Sequence, residues 1–229
     1  MQFTELWPGG PKYSNSGRVF PLTADSIILA DFAPRNPRVL DIGCGSGIIG
    51  LLIAWNNADA HVTGIDISRE AIECARRNVA QNSLDGRFCA VHGDIMDTEL
   101  LKSAFDLAVC NPPYFEKGRG KSAGAAREES TATLFDIIKR ASALLVRGGS
   151  LCIVIRPDRL AEALSAMAEL EFSPARLRTV THTANSPPSM ALVEARLGAG
   201  SHLKVLPPLA LKGENGGDSD EIKRIYRMN

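Results

Sequence analysis

From Arg38 onward, the chain alternates short apolar runs with segments whose apolar residues repeat at helical spacing. This alternation is typical of a parallel β-sheet that is covered by helices on both faces. Each apolar run predicts one buried strand, and the predicted strands are Val39–Ile42, His61–Asp66, Phe88–His92, Phe105–Cys110 and Leu151–Ile155. The fold class that follows is α/β with a mostly parallel sheet.

Helix signals lie between these strands. One helix is predicted to begin near Ser46, and the next has Ser68 as its N-cap. Another carries apolar residues from Leu134 to Leu145 and is expected to stop at Gly148-Gly149, and Pro157 is expected to open a further helix.

Two later strand-like runs, Leu177–Thr183 and Met190–Arg196, break the alternation. Only six residues join them, whereas a parallel crossover needs about a dozen or more. The end of the sheet is therefore predicted to be an antiparallel hairpin.

The 229 residues fit one domain rather than two. We divide it into an N-terminal segment of residues 1–35, a core of residues 36–206 and a polar C-terminal tail of residues 207–229. The longest uncharged run, Ile42–Ala58, contains four glycines and is no membrane span, and the N-terminus lacks the features of a signal peptide. We therefore expect a cytoplasmic protein.

The cysteine and charge patterns further limit the classes of protein to which the chain can belong. The five cysteines and four histidines show no ligand spacing, so neither a disulfide framework nor a metal site is expected. The chain has no net charge, but residues 116–159 contain nine basic and five acidic side chains. This local surplus indicates either an anion-binding face or an ordinary solvated surface.

The strongest local motif is Asp41-Ile42-Gly43-Cys44-Gly45-Ser46-Gly47, in which a strand runs into a glycine turn that opens a helix. Glycines here let the backbone approach a ligand closely. A dinucleotide fingerprint needs glycine at position 48, which is Ile, and Asp41 would repel a pyrophosphate. A cationic ligand suits Asp41 better, and Asp66 ends the next strand where ribose hydroxyls bind. S-adenosylmethionine meets both requirements.

A second motif, Asn111-Pro112-Pro113-Tyr114-Phe115, directly follows the fourth predicted strand. An exocyclic amine on a base, or a side-chain amide, is a poor nucleophile because its lone pair is delocalised. Two acceptors aimed at its N–H groups stabilise the positive charge that develops on the nitrogen during methyl transfer. The Asn111 side-chain oxygen and the Pro112 carbonyl are the predicted acceptors. The prolines stiffen the turn, and Tyr114 offers a face for a planar group.

These motifs, with Gly93-Asp94-Ile95 between them, resemble those of the class I S-adenosylmethionine-dependent methyltransferases, specifically the amino-methyltransferases with the motif Asn-Pro-Pro-Tyr. The resemblance implies a Rossmann-like sheet of seven strands whose last hairpin is antiparallel. It implies cofactor contacts for Asp41, Gly43, Cys44 and Gly45 at the methionine part, Asp66 and Ile67 at the ribose, Asp94 and Ile95 at the adenine, and Asn111. Residues 1–35 would cover the cofactor edge.

The chain resembles one family more closely, the bacterial tRNA1(Val) (adenine(37)-N6)-methyltransferases. The residues that carry this resemblance are Gly9-Gly10-x-x-Tyr13, Thr23–Ala30, Asn111–Phe115, Leu192–Ala195, Pro207-Pro208-Leu209 and Ile225-Tyr226. It implies catalytic roles for Asn111 to Tyr114 and methylation of N6 of an adenine in RNA. Arg127 and Glu129 match the family, and Glu128 stands where the family usually has His.

The expected partner is RNA, in particular a tRNA anticodon loop, in contact with Tyr114, Phe115, Lys117, Arg119, Lys121 and Arg127. The basic, glycine-rich stretch from Gly118 to Gly124 is either a mobile lid or a plain loop. Two alternatives stay open, a glutamine-amide methyltransferase with the same chemistry and a non-catalytic protein that binds the cofactor or RNA. Cys110 is expected to be a buried hydrophobe rather than a nucleophile.

Overall fold

The computed structural model describes residues 2–15, 22–97, 100, 102–112, 132–200 and 202–228. Its strands are β1 (Thr4–Glu5), β2 (Lys12–Tyr13), β3 (Arg38–Ile42), β4 (His61–Asp66), β5 (Phe88–His92), β6 (Phe105–Cys110), β7 (Leu145–Ile155), β8 (Phe172–Thr181), β9 (Pro188–Leu197), β10 (Lys204–Val205) and β11 (Leu209–Ala210). Its α-helices are α1 (Ala24–Phe32), α2 (Ile48–Asn56), α3 (Arg69–Gln81), α4 (Leu134–Leu144), α5 (Leu160–Glu169) and α6 (Asp220–Ile225). The predicted Ser68 cap is confirmed, because its Oγ accepts from the N–H of Ala71.

The main sheet has the strand order β10-β8-β9-β7-β6-β3-β4-β5, and β11 lies beside the end of β8. The strands β3 to β7 run parallel, and β9 is antiparallel to both β7 and β8. Seven strands have five or more residues, while β10 and β11 are two-residue additions at the end of the sheet. The predicted α/β fold with its antiparallel hairpin is confirmed.

Helices cover both faces of this sheet, as the alternation of apolar runs predicts. α1, α2, α3 and α6 pack on one face around residues such as Val39 and Leu107, and α4 and α5 pack on the other around Leu40 and Ala108. Neighbouring strand residues thus point to opposite faces, and both faces are buried.

The helix α4 ends earlier than the sequence predicts. It stops at Leu144, and the following residues, including the expected stop signal Gly148-Gly149, belong to β7. The residues before β6 explain the early end, because the N–H groups of Ser103 and Ala104 donate to the carbonyls of Ala143 and Leu144. These long-range hydrogen bonds hold the last carbonyls of the helix. The two glycines lie in the part of β7 where its register with β6 shifts.

The polar C-terminal tail packs on the core through a few apolar residues. Leu209, Ile222 and Ile225 are buried in the core on the α1 side of the sheet. Ser219 caps α6 through its Oγ, and Glu221 pairs with Arg178 of β8 at 2.6 Å. Three scattered apolar residues give too weak a pattern for this docking to be predicted.

Candidate active site

The carboxyl ends of three central strands meet at one edge of the sheet. Ile42, the last residue of β3, is level with Ile65 of β4 on one side and with Cys110 of β6 on the other. Asp66 and Asn111 follow directly, so they flank the start of the glycine turn. In open parallel sheets, ligands bind at this carboxyl edge, between neighbouring strand ends.

The glycine turn leaves room for a ligand. Gly43 and Gly45 have φ angles of +65° and +56°, and a Cβ placed on either would meet nothing within 4 Å. Cys44 between them is buried, burial raises the pKa of its thiol, and its N–H donates to the Ile65 carbonyl at 2.9 Å. Both glycines therefore have the left-handed backbone and the open space that a closely approaching cofactor needs.

Asp66 ties the turn to the end of β4. Its two carboxylate oxygens accept from the N–H groups of Gly45 and Ser68, each at 2.8 Å. A carboxylate offers about four acceptor positions, so one side chain can hold several hydrogen bonds at once. The adjacent Ile67 carbonyl lies 3.0 Å from Nε2 of His92.

Asp41 lies beneath the turn and is fully buried. One carboxylate oxygen accepts from the N–H of Gly50 at 2.9 Å, and among the described residues the other has no hydrogen-bond partner. Burial, with a smaller contribution from the charge of Asp66, raises the pKa of Asp41 to about 7. A cation nearby would favour its charged form.

Asp94 and Ile95 form the turn after β5 at the same edge. The N–H of Met96 donates to Asp94 Oδ1 at 2.9 Å, and Nε of Arg140 on α4 donates to the Ile95 carbonyl at 2.8 Å. Arg140 therefore braces the turn from 45 residues away.

Asn111 has one amide atom in a hydrogen bond, and its other amide atom has no partner among the described residues. Its Nδ2 donates to Oγ of Ser26 on α1 at 3.2 Å. Its Oδ1 is buried and has no hydrogen-bond partner within the described part of the chain. An acceptor of this kind costs free energy unless a ligand supplies a donor. The neighbouring Pro112 is buried, and the predicted residues Pro113, Tyr114, Phe115, Lys117, Arg119, Lys121 and Arg127 lie outside the described residues.

Cys110 is also buried, among apolar side chains on the α4 side of the sheet, and burial raises the pKa of its thiol. A thiol in this setting is not activated as a nucleophile. The prediction that Cys110 is a buried hydrophobe is confirmed.

The N-terminal segment reaches this edge through side chains that were not predicted from the sequence. Asn78 of α3 pairs with both backbone groups of Ser14, and its Nδ2 also donates to the Ser46 carbonyl in the glycine turn at 3.0 Å. Asn82, one turn further on, pairs in the same way with the backbone of Lys12. The signal available in the sequence was two asparagines four residues apart, one on a helix with an apolar face and one directly after it.

Other missed residues include Ser26 and Arg140, whose partners lie far away in the chain. Within the described ranges, no group of three or more His, Cys, Asp or Glu side chains is placed to hold a metal ion. The same residues include no helix that is both long and apolar enough to cross a membrane.

Comparison with solved structures defines the fold as that of methyltransferases. A predicted O-methyltransferase from Agrobacterium tumefaciens superposes with a TM-score of 0.74 and 23% identity over 89% of this chain and 95% of its own. A geranyl diphosphate methyltransferase solved with S-adenosylmethionine superposes with a TM-score of 0.57 and 16% identity, over 76% of this chain and 84% of its own.

The sequence profile of the methyltransferase small domain matches residues 23–181, and the chain belongs to that family. Two similar relatives carry the name tRNA1(Val) (adenine(37)-N6)-methyltransferase. The one from Porphyromonas gingivalis is 33% identical over 79% of this chain and 76% of its own length, and the one from Aliivibrio fischeri is 26% identical over 91% of both. The family resemblance inferred from the motifs is confirmed.

Proposed function

We propose that this protein transfers a methyl group from S-adenosylmethionine to the exocyclic N6 of an adenine in RNA, and that the RNA is a tRNA whose adenine 37 is the target. The observation that carries the proposal is the buried Oδ1 of Asn111, which has no partner among the described residues and lies beside the glycine turn. The relatives' names support the same substrate. The substrate implies action in the cytoplasm.

The cofactor fits the open glycine turn and the acids around it. Gly43, Cys44 and Gly45 would hold the methionine part through their backbone, above the buried carboxylate of Asp41. Asp66, with Ile67, would accept from the ribose hydroxyls, and the turn at Asp94 and Ile95 would hold the adenine. When bound, S-adenosylmethionine supplies a methyl group on a positively charged sulfur, which takes the electron pair of the broken carbon–sulfur bond.

Asn111 and Pro112 act on the acceptor amine. Asn111 Oδ1 and the Pro112 carbonyl accept hydrogen bonds from the two N–H groups. These hydrogen bonds favour a geometry in which the nitrogen lone pair leaves the ring system and points toward the methyl carbon. Both acceptors then face the positive charge that develops on the nitrogen, so they stabilise the transition state more than the bound substrate. Once the new bond has formed, the positively charged nitrogen is strongly acidic and releases one proton to water, so no base of unusual pKa is needed.

An anticodon loop suits a protein without net charge. A base in a loop costs less to unstack than a base in a duplex. Tyr114 and Phe115 would stack on the adenine, and Arg127 and the basic residues at 117, 119 and 121 would meet neighbouring phosphates.

Nucleoside mass spectrometry on unmodified tRNA, incubated with the protein and S-adenosylmethionine, tests this proposal. N6-methyladenosine in the digest, absent when adenine 37 is replaced by guanine, is the expected result. The competing function is methylation of a protein glutamine amide, which the motif Asn-Pro-Pro-Tyr also serves. In a cell extract supplied with S-adenosylmethionine that carries a labelled methyl group, label that enters only the protein fraction would contradict the RNA proposal and support that alternative.

A further inference from the structure

The side-chain amide of Asn111 contacts a hydroxyl of the N-terminal helix. Ser26 on α1 is 8% exposed, and its Oγ is the acceptor for Asn111 Nδ2 at 3.2 Å. We propose that Ser26 is a positioning residue, which holds the Asn111 amide with its oxygen turned toward the acceptor amine. This inference rests on the proposed function, because it assigns Asn111 Oδ1 the role of amine acceptor.

An asparagine amide needs such a partner because its two ends have the same shape and opposite hydrogen-bonding properties. If the amide turned over, Nδ2 would face the N–H groups of the acceptor amine, and donor would meet donor. A hydroxyl that accepts from Nδ2 keeps the oxygen on the substrate side. Oδ1, which has no hydrogen-bond partner in the described part of the chain, is the atom that this arrangement turns toward the substrate.

The position of Ser26 in the helix also indicates a role outside packing. The other buried residues of α1 are apolar, namely Ile27, Ile28, Leu29 and Phe32. A buried hydroxyl contributes less to packing than an apolar group of similar size and costs free energy unless it is hydrogen-bonded. Its hydrogen bond to Asn111 provides that compensation and joins residues 85 positions apart in the chain.

The helix that carries Ser26 is fixed at its other end. Arg176 of β8 donates to the Phe32 carbonyl at 2.8 Å and stacks over the Phe32 ring at 4.4 Å. Arg224 of α6 pairs with Asp31 at 2.9 Å. A polar group on a well-anchored helix can hold its partner within the narrow tolerance that a reacting site needs.

The test compares Ser26→Ala with Ser26→Thr, which keeps the hydroxyl, and with Ser150→Ala as a matched control. Ser150 is also buried and makes a side-chain hydrogen bond, to Glu194, but lies away from the carboxyl edge of the sheet. We expect kcat of Ser26→Ala to fall roughly three- to tenfold, the range that one neutral hydrogen bond gives. The Kd for S-adenosylmethionine should change less than about twofold, Ser26→Thr should restore kcat, and Ser150→Ala should retain it.

A second measurement does not depend on turnover. In the ¹⁵N-labelled protein, the side-chain NH₂ signals of Asn111, assigned by their loss in Asn111→Asp, should shift in Ser26→Ala and return in Ser26→Thr. Unchanged NH₂ signals in Ser26→Ala would overturn the proposal. So would a wild-type kcat in that variant, or a loss of kcat that Ser150→Ala shares and Ser26→Thr does not restore.

The two proposals can fail separately. If the wild-type protein methylates a glutamine amide and no RNA, the substrate assignment fails, and the ratio of Ser26→Ala to wild-type rates on that amide still tests Ser26. If wild-type protein and Ser26→Ala form N6-methyladenosine in tRNA at equal rates, the proposed function stands and the role of Ser26 is wrong.

Discussion

Asn78 forms two hydrogen bonds with the backbone of Ser14, one from the Ser14 N–H at 2.9 Å and one to its carbonyl at 3.1 Å. The Asn78 amide thereby makes the two backbone hydrogen bonds that a neighbouring β-strand would otherwise make, and it joins the N-terminal segment to α3. Because the same Nδ2 also reaches the Ser46 carbonyl, the segment is linked to the glycine turn.

We therefore predict that Asn78→Ala lowers both stability and cofactor affinity. The substitution leaves three backbone groups without their partner, which should reduce the free energy of unfolding by about 2–4 kcal/mol. Urea denaturation and calorimetry with S-adenosylmethionine measure the two effects. Asn215→Ala, in an exposed turn, is the control and should change neither. Wild-type cofactor affinity in folded Asn78→Ala would show that the segment does not support the cofactor site.

Asp66 should contribute directly to cofactor binding. Loss of its carboxylate removes hydrogen bonds to the ribose that are worth about 1.5–3 kcal/mol, so the Kd of Asp66→Ala should rise by roughly ten- to 150-fold. Calorimetry gives the value. Asp106→Ala is the matched control, because this carboxylate pairs with Arg38 at the opposite edge of the sheet. Equal affinities for wild-type protein and a folded Asp66→Ala variant would remove Asp66 from the site.

Asn111→Ala should abolish most turnover with little effect on cofactor affinity. The lost acceptor acts mainly in the transition state, and removal of one such preorganised group costs about 10²–10³ in rate. Single-turnover assays with tRNA measure the rate, and calorimetry measures cofactor affinity. A variant that retains near-normal turnover would contradict the mechanism.

Asp41 should make stability fall as the pH rises. Its pKa is about 7 in the folded protein, against an ordinary value of 3.8. Between pH 3.8 and about 7, the folded state therefore keeps a proton on Asp41 that the unfolded state has released. The resulting stability is fully present below about pH 4 and is lost as the pH approaches 7, at up to about 1.4 kcal/mol per pH unit.

Urea denaturation of wild-type protein and Asp41→Asn from pH 4.5 to 8 tests this prediction. The difference between the two proteins isolates Asp41, because the other titrating groups are common to both. It should change steeply below pH 7 and level off above it. A difference that is constant with pH would mean that Asp41 titrates normally.

The basic residues between positions 117 and 121, which lie outside the described residues, should contribute to RNA binding and not to cofactor binding. Replacement of Lys117, Arg119 and Lys121 by Ala should weaken tRNA binding and reduce its salt dependence by up to about two logarithmic units per decade of salt. S-adenosylmethionine affinity should stay the same.

The control for this experiment removes three exposed basic residues from the opposite edge of the sheet, Arg35, Lys102 and Arg147. It should leave the salt dependence of tRNA binding unchanged. If both triple variants bind tRNA equally well across a salt series, the segment is not an RNA-binding lid.

Much of the fold was predictable because the signals are local. β4, β5 and β6 have the predicted bounds, since a buried parallel strand is a short apolar run that ends at polar or glycine residues. The early end of α4 was not predictable, because Ser103 and Ala104, some forty residues earlier, take its last carbonyls. The packing of the tail could not be predicted for a similar reason, since Ile222 and Ile225 are buried only once the sheet exists.

The sequence alone determined the order of the central strands and helices and the glycine turn at Asp41–Gly47, and it predicts Asn111 as the residue that accepts from the substrate amine, because each depends on neighbouring residues in the chain. Only the tertiary structure decided which distant side chains support them. Ser26 meets Asn111, and Asn78 meets Ser14, across 85 and 64 residues. Such pairs leave no periodic pattern, since a single hydrogen bond between packed elements depends on how those elements meet and not on the residues beside it.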